Sequence, residues 1–205
     1  MNTTSNIIPT QLTGDKSDHK FAVIADSHSE ACKIFKESIL RLLDVNDWDK
    51  LCGIGSATFT LTDEKGCEID ELIQQGRFIK VEIPGPGPDA GDGYDWVYIE
   101  KTESRKITDS KECFAISVRP TTNPLTSNVS IAHFFKKDAT STFMVCIDGN
   151  IISASIHGRN EISNTETANI RDNIRNKVVA TSAVAILSDV QWNNLVRGIV
   201  KGIAV

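Results

Sequence analysis

Apolar and polar residues alternate or recur along most of this chain in ways that separate strands from helices. Phe21-Ala-Val-Ile-Ala25 is a short apolar run and predicts a strand. Asp26, Ser27 and Ser29 follow as candidate helix caps, with Glu30 in the first turn. Ala31, Ile34, Phe35, Ile39, Leu42 and Leu43 then fall at spacings of three and four, the mark of one helical face ending near Leu43. Val45 to Leu51 predicts a short second helix, closed by Gly53 and Gly55. From Ser56 to Thr62 the period becomes two, with Ala57, Phe59 and Leu61 set against Ser56, Thr58, Thr60 and Thr62. Phe78 to Ile83, Tyr94 to Lys101, Glu112 to Val118, Ser141 to Ile147 and Ile151 to Ile156 are read as five more strands, and Asp148-Gly149 as a hairpin turn between the last two. Arg119 to Lys137, with Pro120 and Pro124, is a longer excursion. It holds a short structured piece at Ile131 to Phe135.

The C-terminal part is helical by pattern. Ile170, Ile174, Val178, Thr181 and Ala185 share one face, and Ala180 to Ala185 is rich in small residues that allow close approach to a sheet. Ser188-Asp189 reads as a break and a new cap. Trp192, Leu195, Val196, Ile199 and Ile203 form the next apolar stripe. Strands that succeed one another without crossover helices form an antiparallel sheet with one face to cover. The expected fold is therefore α+β, an antiparallel sheet of six to seven strands with one face covered by a long C-terminal helix. Residues 1–20 are expected to be a disordered tail and 21–205 a single domain.

This order resembles the START-like superfamily, also called helix-grip or polyketide cyclase/Bet v 1-like proteins. The resemblance rests on Phe21-Ala-Val-Ile-Ala-Asp26 leading into the Ser29 helix, on Asn46-Asp-Trp48 after that helix, and on Trp192-Asn-Asn-Leu195 near the end. It implies a curved antiparallel sheet wrapped around the long C-terminal helix, with a cavity between them that takes an apolar or amphipathic ligand. Members of the family differ in their catalytic residues, so the resemblance implies none for this chain. Two loops depart from the family pattern: Pro84 to Gly93, rich in Pro and Gly, and the insertion Arg119 to Thr140.

Composition narrows the function classes. The 205 residues carry a net charge of −5, with basic residues scattered rather than clustered, which argues against nucleic acid or an anionic membrane as partner. No apolar run reaches the length of a membrane span. The five cysteines are odd in number and form no C-x-x-C pair, so neither a disulfide framework nor a zinc site is expected. Cys32, Cys113 and Cys146 sit among apolar residues as candidate core thiols, which suits a reducing, cytoplasmic setting.

Candidate chemistry gathers in four places. His157-Gly-Arg-Asn-Glu161 follows the last expected strand, where a base, a carboxylate-binding arginine and an orienting glutamate would ring a pocket mouth. The plainer reading is a polar turn. Pro84 to Trp96 contains Asp89, Asp92 and Asp95, whose spacing is not that of a calcium loop; as a lid it would offer Tyr94 and Trp96 as contacts. His133-Phe-Phe135 is either a pocket cap or an apolar plug, and Arg119 faces a ligand or the sheet edge. The expected ligand contacts are His157, Arg159, Trp96, Tyr94 and Arg119, with no metal and no cofactor. The favoured function is non-catalytic binding of a small apolar or amphipathic molecule. The alternatives are an adaptor with a filled core that assembles through its C-terminal helices, homo-oligomers included, and a hydrolase or cyclase using His157 and Glu161.

Overall fold

The computed structural model describes residues 7–53, 56–84, 88–164 and 183–202. Seven antiparallel strands form one sheet: β1 (Asp15–Ile24), β2 (Thr58–Thr62), β3 (Phe78–Glu82), β4 (Asp95–Lys106), β5 (Lys111–Pro120), β6 (Thr140–Asp148) and β7 (Ile151–Glu161). Their spatial order is β1-β7-β6-β5-β4-β3-β2. After β1 come α1 (His28–Leu43) and α2 (Trp48–Cys52), joined by a 3-10 turn at Val45–Asp47. The chain returns to helix in α3 (Ala183–Lys201).

Sheet curvature follows from which residues meet. Its edge strands are six steps apart, about 29 Å if the sheet were flat. Yet Ser17 and His19 of β1 and Phe59 of β2 line one cavity, so the sheet curls until its edges face a common interior. Irregularities in the ladder at Ile99/Lys101 and at Asp15/Ser17 help it bend. The concave face supplies the core: Phe59, Leu61, Ile79, Ile99, Ile116, Val118, Phe143, Val145, Ile152 and Ile156 are buried in the expected period of two. From α3, Leu195, Val196, Ile199 and Val200 complete it. Gly198 lets α3 approach α2 closely, since a Cβ there would lie 2.8 Å from the Leu51 Cβ. Asn194 donates to the Cys52 carbonyl (3.0 Å), and Arg41 of α1 donates to the Ile199 carbonyl (2.9 Å), so both short-range helices grip α3. This is the helix-grip arrangement that the element order predicts.

Several expectations are corrected. Residues 7–20 are not a disordered lead-in. β1 begins at Asp15, and Ile7 is buried on the convex face beside Cys113, Ala115, Met144 and Cys146. Polar residues hid this strand because its outward positions face solvent and its inward ones face a cavity. Ser188-Asp189 does not interrupt α3, which runs unbroken through both, since packing along the helix outweighs two poor helix formers. The helical face drawn through Ile170, Ile174, Val178 and Thr181, and Ile203 with it, lies outside the described residues. Cys113 and Cys146 are not free thiols. They stand directly opposite each other on β5 and β6 with Cα atoms 4.1 Å apart, and they form a disulfide. A separation of 33 residues in sequence gave no sign of that pairing. Cys52 is a buried free thiol, pushed up to about 12 by burial.

Candidate binding cavity

Between the concave face and α3 lies a cavity of about 340 Å³. Its apolar wall comes from both sheet edges and from two helices. Trp48 of α2 packs at 4.7 Å from Phe143 and 5.4 Å from Phe59, ring centre to centre, and Trp192 of α3 at about 6 Å from the same two rings. Trp48 is fixed by its indole N–H, which donates to the Leu42 carbonyl (3.2 Å). Gln191 accepts from the Ala57 backbone N–H (2.8 Å) and ties α3 to the start of β2.

One wall comes from the long excursion between β5 and β6. Phe134 donates its backbone N–H to the buried Asp95 carboxylate (3.0 Å). Its carbonyl accepts from Asn164 (2.7 Å), and Lys136 bonds the Ile162 carbonyl (2.8 Å). His133, Phe134 and Phe135 all line the cavity, so the segment is a wall rather than a plug that only fixes a loop. His133 accepts from the Phe135 N–H (2.9 Å) and stacks on Phe134, which stiffens that wall.

The polar end of the cavity is made where β1 meets β7. Asp15 pairs with Glu161 and Ser17 with Gly158, so two steps on β1 oppose three on β7. The extra residue is accommodated at Asn160, whose φ of 57° lies in the left-handed region. Its side chain accepts from the Leu12 and Thr13 backbone N–H groups at 2.8 and 3.2 Å, which holds the bulge in place. A bulge of one residue reverses the alternation of faces. Glu161 therefore joins Gly158 and Ile156 on the concave side and lines the cavity. Ser17 donates its hydroxyl to Glu161 (3.0 Å). Burial raises the Glu161 carboxyl above the ordinary carboxylate range. Asp15 and Asp18 add to the rise, and the Ser17 hydrogen bond and Arg159 oppose it. His19 is 8% exposed, and its Nε2 has no hydrogen-bond partner among the described residues; Asp189 of α3 stands 3.6 Å away.

The residues expected from sequence lie elsewhere. The stretch from His157 to Glu161 is the end of β7 and not a loop at a pocket mouth. His157 and Arg159 come together on the convex side around Asp18, which His157 meets at 2.5 Å and Arg159 at 2.7 Å. Opposed by burial, these two bonds still hold Asp18 below its ordinary value. Burial lowers His157 in spite of Asp18. His157 and Glu161 thus serve different faces and do not form the acid–base pair considered above. Trp96, fully buried, packs with Ala90 and Ala132 against Phe78 and Tyr94, and its indole donates to the Gly91 carbonyl (3.3 Å). Arg119 is engaged by Glu100 (2.6 Å) and the Lys137 carbonyl (3.2 Å). None of His157, Arg159, Trp96, Tyr94 and Arg119 lines the cavity. Of the three aspartates in the Pro84 to Trp96 loop, Asp92 accepts from Asn123 (3.1 Å) and Asp95 holds Phe134. Among the described residues no three His, Cys, Asp or Glu side chains are grouped to hold a metal ion, and no helix is long and apolar enough to cross a membrane.

Sequence reading missed Ser17 and His19, although a signal was present. Ser17, His19, Phe21 and Val23 share one phase of a strand, and polar residues in the apolar phase point into an interior.

Strand order, curvature and the gripped helix define a START-like fold, and the site is an internal cavity with one polar end. No family model matches the chain, and no curated protein matches it in sequence. Similar solved structures include the Zhui aromatase/cyclase from Streptomyces sp. R1128, at 8% identity over 90% of this chain and 94% of that one, with a TM-score of 0.44. Truncated norcoclaurine synthase from Thalictrum flavum aligns at 9% identity over 94% of this chain and 99% of that one, with a TM-score of 0.39. The major latex-like protein 151 from Panax ginseng aligns at 10% identity over 87% and 97%, with a TM-score of 0.29. The fold assignment rests on the strand order and on the seat of α3, not on these alignments.

Proposed function

We propose that the protein binds a small apolar or amphipathic molecule in the cavity between sheet and α3, without catalysing its conversion. The observation that supports this most is the cavity itself: about 340 Å³ lined by Trp48, Phe59, Phe143 and Trp192, within the size range of small-molecule sites. Burying about 200 Å² of a ligand's apolar surface there would contribute about 5 kcal/mol before the costs of association. The polar end would orient the molecule.

Cytoplasmic residence, expected from the cysteine pattern, fits this reading only if Cys113 and Cys146 are held reduced there, because such bonds persist in oxidising surroundings. A thiol count on protein prepared without reductant distinguishes the two settings.

The test of binding uses Nile red, whose emission strengthens and shifts to the blue in apolar surroundings. Wild-type protein is expected to bind it saturably. Val118→Trp, which fills the cavity from β5, is expected to abolish binding while unfolding stays cooperative. Equal affinity in the filled variant would show that the dye sits elsewhere and would remove the basis of the proposal.

A further inference from the structure

We infer that the end of the cavity between β1, the β7 bulge and α3 is a head-group subsite for an amine, so that the ligand is an apolar molecule ending in an ammonium group. This rests on the binding reading above and specifies its ligand class.

The groups at this end are acceptors. The acidic residues Glu161, Asp15 and Asp189 are among those that line it, the last two at its solvent side. The Ser17 proton is already given to Glu161, which leaves the Ser17 oxygen free to accept. His19, more than nine-tenths buried, has an Nε2 without a hydrogen-bond partner among the described residues. Leaving such an atom unsatisfied is costly, and a ligand group is one way to satisfy it. Nε2 lies 3.6 Å from the Asp189 Oδ1, too far for a good direct bond. With the His19 proton on Nδ1, a single N–H₃⁺ group at about 2.9 Å from each would bond to both. The described lining holds no lysine or arginine, so a carboxylate head would meet charge of its own sign. Arg159 is turned to the convex side and occupied by Asp18 and by the Ser17 and Gly158 carbonyls. The raised Glu161 carboxyl agrees with this geometry, because partial burial and the neighbouring Asp15 disfavour its charged form.

Decylamine, decanol and decanoate share one chain and differ in the head. Each is used to displace Nile red from the full chain at neutral pH and below its micelle concentration. Decylamine is expected to bind at least tenfold more tightly than decanoate, with decanol between them. Glu161→Gln and Asp189→Asn are expected to cut that preference to below threefold while decanol affinity holds. Asp189 is mostly exposed on α3, so its variant reports even if a change at Glu161 disturbs folding. Decanoate binding as well as decylamine, or an undiminished preference in both variants, would overturn the amine subsite and leave the cavity reading intact. Failure of all three to displace the dye would overturn the cavity reading, and the subsite with it.

Discussion

Glu161 lies folded over Gly158, so closely that a methyl group on Gly158 would collide with the Glu161 Oε1 and with the Ser17 hydroxyl oxygen. Both colliding atoms are the free ends of side chains, and Gly158 has no left-handed backbone to preserve. Gly158→Ala is therefore expected to displace the Glu161 carboxyl at a cost of about 1–3 kcal/mol, the usual range for small-to-large changes. Urea unfolding measures the cost. The same variant is expected to lose the preference for decylamine over decanoate. A large stability loss with the preference intact would mean that Glu161 does not sit over Gly158.

The raised Glu161 carboxyl makes a signed prediction about pH. Its folded pKa lies above its unfolded one, so ionisation in the fold carries a penalty. That penalty is fully present above the folded pKa and disappears as pH falls through it. The charges that act on Glu161 are Asp15 beside it and, from the convex side, Arg159 and Asp18. Glu161→Gln is thus expected to gain stability over wild type near pH 8, and the gap to close toward pH 4. Denaturant unfolding across that range checks it. A gap that widens in acid would reverse the assignment.

On the convex face the sign is opposite. Asp18 is held below its ordinary value by His157 and Arg159, so its contribution is present above the unfolded pKa and is lost as pH falls through the folded one. The Asp18 side chain is 45% exposed, so Asp18→Asn is expected to cost less than about 1 kcal/mol at pH 7. Arg159→Ala and His157→Ala should leave Nile red affinity within twofold, because neither residue lines the cavity. Loss of dye binding in either variant would place the ligand on the convex side instead.

The Cys113–Cys146 bond closes a loop spanning 33 residues between neighbouring strands. By loop-closure entropy such a bond contributes about 3–4 kcal/mol. Unfolding with and without dithiothreitol is expected to show a loss of that order, and Cys113→Ala with Cys146→Ala should no longer respond to reductant. An identical midpoint with and without reductant would mean that the thiols are not bonded in solution.

Local pattern was legible to the extent that local physics decides it. The alternation Ala57-Phe59-Leu61 placed β2, the three-four spacing from Ala31 to Leu43 placed α1, and Ser27, one of three expected caps, accepts from the Glu30 N–H (3.2 Å). The ends of strands were harder. β4 runs on to Lys106 and β7 to Glu161 through residues that look like loop, because ladder hydrogen bonds hold them whatever their side chains.

The sequence by itself determined the order of elements, the apolar phase of each strand and, through them, an antiparallel sheet with one face for a terminal helix to cover. Periodicity is a property of neighbours along the chain, and burial of one face follows from it. The tertiary structure alone decided which polar residues enter the interior. A one-residue bulge at Asn160 turned Glu161 inward while plain alternation kept His157 and Arg159 outward, and curvature brought Ser17 and His19 of one edge to the same cavity as Phe59 of the other. Register and curvature depend on contacts between residues more than a hundred positions apart, and no local pattern contains them.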